Sequence, residues 1–81
     1  MKGPRYKFLL EGWEKRSVWG FDEDTSTYWA DLWLNDDSDA DKPTSKIRDV
    51  PTPMTELYSM LLNLTDADPD HLLQLMEDSM H

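Results

Sequence analysis

The stretch SVWGFDEDTSTYWADLWL, residues 17 to 34, decides the fold. SVWGFD (17–22) and TYWADLWL (27–34) are rich in the aromatic and β-branched residues that suit a pleated surface, and the polar run from Asp22 to Ser26 predicts a hairpin loop between them. A strand sends alternate side chains to opposite faces. In the later strand, Tyr28, Ala30, Leu32 and Leu34 therefore share one side, and Thr27, Trp29, Asp31 and Trp33 share the other. In the earlier strand, Trp19 and Phe21 lie opposite Val18 and Gly20, and Gly20 marks a bulge or a close approach by another side chain. Large apolar groups are thus expected on both faces of one sheet.

Working outward toward the N-terminus, RYKFLLEGW (5–13) alternates with Tyr6, Phe8 and Leu10 on one side, which predicts another half-buried strand. Three strands over 5–13, 17–22 and 27–34 with short links favour an antiparallel meander. On the C-terminal side the pattern collapses into NDDSDADKPTSKIRDVPTP (35–53), where only Ile47 and Val50 could anchor anything, and 35–45 is read as an acidic loop. Thr52 is a candidate N-cap, Pro53 suits a first helical position and Glu56 a first turn. Met54, Leu57, Tyr58, Leu61 and Leu64 follow at helical spacing, predicting a helix over 53–64. Asp68-Pro69 repeats the start signal, and Leu72, Leu73, Met76 and Met80 predict a second helix over 69–80. The expected fold is a single small α+β domain: a three-stranded antiparallel meander followed by two short C-terminal helices.

Charge is the strongest compositional fact, with 17 acidic residues against 8 basic ones and a formal net charge of −9. Five of the bases (Lys2, Arg5, Lys7, Lys15 and Arg16) precede residue 17, whereas from Asp49 onward there are seven acids and no base. Such a field repels nucleic-acid phosphates and anionic membranes and favours encounter with basic partners. Cysteine is absent, which removes thiol chemistry and fits a reducing compartment. MKGPRYKFLL at the start contains no apolar run of signal length, so a cytoplasmic address without membrane insertion is expected.

Site chemistry finds little purchase. Asp66, Asp68, Asp70 and Glu77 stand at positions 1, 3, 5 and 12 of a calcium-loop register, but His71 occupies the place that needs glycine and Leu72 and Leu73 read as helix; helix capping is the better account. The acidic cluster Asp36, Asp37, Asp39 and Asp41 has no carboxylate at a closing twelfth position. His71 and His81 have no nucleophile motif beside them, and three glycines cannot build a phosphate loop. Carboxylate pairs such as Glu11 with Asp31, on neighbouring strands of the meander, could in principle work as acid and base, but ordinary solvated acids are the more common case. No catalytic activity, metal or cofactor is expected.

The expectation is a noncatalytic acidic protein-interaction module. Trp19, Trp29 and Trp33 are its aromatic anchors, and Asp36, Asp37, Asp39 and Asp41 steer a basic protein partner or form the rim. Self-association into a homodimer is another way to cover the second apolar face. Met60 and Leu62, off the main helical stripe, are further candidates for a partner-facing contact. The alternative is an acidic nucleic-acid mimic that blocks a basic nucleic-acid-binding protein, which requires carboxylates ordered on one face.

Overall fold

The computed structural model describes residues 3–35 and 41–80. Strands β1 (Arg5–Lys7), β2 (Val18–Asp22), β3 (Thr27–Leu32) and β4 (Ser45–Pro51) form one antiparallel sheet in the order β1-β2-β3-β4. Helices α1 (Thr55–Thr65) and α2 (Pro69–Ser79) follow. The α+β class and the meander order are as the sequence predicts, but the sheet has four strands where three were expected.

The additional strand escapes a period-2 reading because it is bulged. Tyr28 pairs with Val50 and Ala30 with Ile47, so Trp29 alone faces both Arg48 and Asp49, and Asp49 adopts a left-handed φ of 57°. Two inward side chains therefore stand three residues apart, as Ile47 and Val50, and both reach the core.

The first strand is shorter than expected. After Lys7 the chain keeps one sheet bond, from Phe8 N–H to Ser17 O (2.9 Å), then turns at Glu11 and Gly12 and rejoins the sheet through an isolated bridge between Trp13 and Leu34. Phe8 and Leu10 still enter the core. The buried Ser17 hydroxyl accepts a hydrogen bond from Trp33 N–H at 3.0 Å, which closes the open end of the β2–β3 hairpin.

Helix α1 begins two residues later than expected. The Thr52-Pro53 peptide is cis, Pro53 O accepts from Glu56 N–H, and Met54 rather than Thr52 takes the N-cap position. Helix α2 starts where the sequence places it, with Pro69 in the first turn and the Asp68 carboxylate accepting from His71 N–H at 3.1 Å. Asp68 is thereby committed to capping.

Both helices cover the same face of the sheet. Leu57, Leu61, Leu72 and Met76 meet Trp19, Ala30, Leu32, Ile47 and Val50 in one buried cluster. Leu64, Leu73 and Met80, expected within the inward stripes, instead remain partly in water, because their positions lie at the margins of each buried helical arc. At the centre, Trp19 is fully enclosed and donates its indole N–H to Ser79 Oγ (3.1 Å), whose own hydroxyl donates to Met76 O (2.8 Å). That chain of bonds ties the last turn of α2 to the middle of the sheet. Among the described residues no helix is long and apolar enough to cross a membrane.

Candidate interaction surface

The outer face of the sheet, opposite the helices, is built from cross-strand rows. One row runs Arg5, Gly20, Trp29 and the bulge residue Arg48; the next runs Lys7, Val18, Asp31 and Lys46. Trp29 lies flat across Gly20, so close that a Cβ added there would come within 2.9 Å of the indole ring and 2.5 Å of Pro4 O. The guanidinium carbons of Arg5 and Arg48 stand 5.5 and 5.6 Å from the ring centroid, one toward each edge of the sheet.

Arg48 is itself held. Its Nη1 lies 2.8 Å from Asp31 Oδ1 and donates to Ile47 O at 2.8 Å, while Nη2 donates to Asp31 Oδ2 at 3.2 Å. With a bare glycine beneath and two arginines alongside, Trp29 is only 2% exposed. Burying a ring of this size is worth on the order of 4 kcal/mol, well above the roughly 1 kcal/mol of a partly exposed cation–π pair. The arginines therefore matter chiefly as apolar-stemmed covers. The chain closes its second face with its own side chains.

This overturns the expected exposure of two anchors: Trp19 lies in the core under α2 and Trp29 is enclosed on the outer face, so neither ring is open to a partner. Trp33 is half-buried, with the Arg16 guanidinium 4.6 Å from its ring, and its indole N–H is buried without a hydrogen-bond partner among the described residues. Asp41 is exposed, whereas Asp36, Asp37 and Asp39 lie outside the described residues. The Glu11–Asp31 pair considered above is not assembled: Asp31 faces Val18 and Lys46 and is held by Arg48, while Glu11 is exposed in the turn before Trp13.

Apart from Leu9, the exposed large apolar side chains lie on the helices. Met60 (45%) and Leu64 (42%) stand one turn apart on α1 beside the β4 edge, where with Ser45, Ile47 and Asn63 they border a hollow of about 590 Å³. On α2, Leu73 and Met80 are similarly open. Met60 fits its expectation as a surface residue; Leu62 is half-buried against the core.

On the helices themselves every formal charge is negative, with Glu56, Asp66, Asp68, Asp70, Glu77 and Asp78 all exposed, although Lys46 of β4 also borders the hollow beside Met60 and Leu64. Neither helix has a base in its last turn, so Glu77 and Asp78 sit unanswered at the negative end of the α2 dipole. Arg5, Lys7, Lys46 and Arg48 stand instead on the outer sheet face, mixed there with Asp22 and Asp31. That segregation was hidden in the sequence, where the bases of β1 and β4 are some forty positions apart. Only the base-free tail after Arg48 hinted at it.

No family model matches the chain. No curated protein matches it. No solved structure matches it.

Proposed function

We propose that this chain is a noncatalytic protein-recognition module whose helical layer docks on a basic partner. The observation that carries this reading is the mixture, on one layer, of open apolar side chains (Met60, Leu64, Leu73, Met80) with carboxylates and no base. Apolar contact supplies the affinity, and the carboxylates select a cationic surface. The tryptophans serve the fold. A reducing, cytoplasmic setting suits a chain without cysteine.

A second reading, mimicry of a nucleic acid against a basic nucleic-acid-binding protein, is favoured by the exposed carboxylates of the helical layer, which no Lys or Arg interrupts.

The test is affinity capture with the whole protein beside a Met60→Glu/Leu73→Glu variant. Proteins of high isoelectric point should be recovered by the first, lost from the second and released by salt. Equal recovery by both would refute the helical docking layer. Mimicry additionally requires that a captured partner give up its DNA or RNA when this chain binds.

A further inference from the structure

The two free edges of the sheet differ in what they offer. The β4 edge is blunted: the bulge at Arg48 and Asp49 breaks its ladder, and Pro51 has no N–H to donate. The β1 edge is intact. Pro4 O accepts from Phe21 N–H (3.2 Å), Tyr6 pairs with Trp19, and Phe8 N–H donates to Ser17 O (2.9 Å). Antiparallel alternation then turns the backbone N–H and C=O groups of Arg5 and Lys7 away from β2.

They face a groove of about 620 Å³ between β1 and α2, bordered by Tyr6, Leu9, Gln74, Leu75 and Asp78. Leu9 is 57% exposed on its border. Asp78, also on its border, accepts from the neutral Gln74 Nε2 at 2.8 Å and stands at the negative end of the α2 dipole.

We propose that this groove takes an extended segment of a partner protein as a fifth strand. The segment turns apolar side chains inward onto Tyr6, Leu9 and Leu75, places a Lys or Arg at Asp78, and turns no base outward. The outward rule comes from Arg5 and Lys7, whose side chains lie on the outer face and oppose a like charge across the new ladder.

The same rule argues against a second copy of this chain. Antiparallel pairing of β1 with itself sets Arg5 and Lys7 against their own kind, and pairing of β1 with β4 sets them against Lys46 and Arg48. The occupant is therefore foreign. This inference rests on the reading of the chain as a recognition module and names the segment it recognises.

The test is selection of random displayed peptides on the whole protein, followed by amide NMR of the complex. Selected peptides should alternate apolar with polar positions and carry one base, and binding should protect the Arg5 and Lys7 amides from hydrogen exchange. Lys7→Pro, which removes an edge donor without touching a β1–β2 bond, should weaken binding about tenfold or more. Asp78→Lys, at an exposed position, should weaken only those peptides that carry the base. The groove is refuted if no such pattern is enriched, if protection appears at Lys46 instead, or if the chain self-associates through β1. Peptides that map to Met60 and Leu73 would also refute it, while leaving the module reading standing.

Discussion

Gly20 and Trp29 decide, at the scale of single residues, why a two-layer domain tolerates an indole on its uncovered face. The ring occupies the volume that a side chain at position 20 would need, and Pro4 O closes the same space from the other side. Gly20→Ala should therefore destabilise the protein by about 1–3 kcal/mol, read as a lower denaturation midpoint in urea. Trp29→Leu in the same background should recover part of that loss, since neighbouring changes are not additive. Sequence reading correctly placed Trp29 on the face opposite the core and marked Gly20 as a site of close approach. It could not join the two, because which residue stands across from which depends on strand register rather than on either strand's composition. Hence a ring that looked open to a partner is instead closed by Arg5 and Arg48.

At the scale of elements, α2 is fixed to the sheet by more than its apolar stripe. Trp19 reaches Ser79 near the end of the helix, and among the described residues no other partner serves that buried indole N–H. Ser79→Ala should cost about 1–3 kcal/mol, the penalty for orphaning a buried donor, and thermal unfolding followed by tryptophan fluorescence will measure it. Elements were legible where local chemistry dominates. Helix α2 could be read because Asp68, Pro69 and the Leu72–Met76 spacing all point the same way. Strand β4 could not, since the bulge at Asp49 converts a spacing of two into three and leaves Ile47 and Val50 looking like isolated anchors in a loop. The second half of RYKFLLEGW misled in the opposite direction: its alternation continues past Lys7, but the backbone bends after Phe8 while still delivering Leu10 to the core.

At the scale of the whole molecule, the helical layer carries acids that its own helices do not favour. Placing a base in the last turn of α2, as in Glu77→Lys, should raise stability by roughly 0.3–1 kcal/mol at low salt while weakening capture of basic proteins. A gain in stability with unchanged capture would separate the carboxylates from recognition. The uneven spread of charge between the layers has one more effect. Helices that carry carboxylates and no Lys or Arg, set against a sheet where acids and bases are mixed, shift the protein's negative charge toward its helical side. In the potential of a cationic partner it feels a torque as well as a pull, so tumbling is biased to bring the helices forward before any atoms touch.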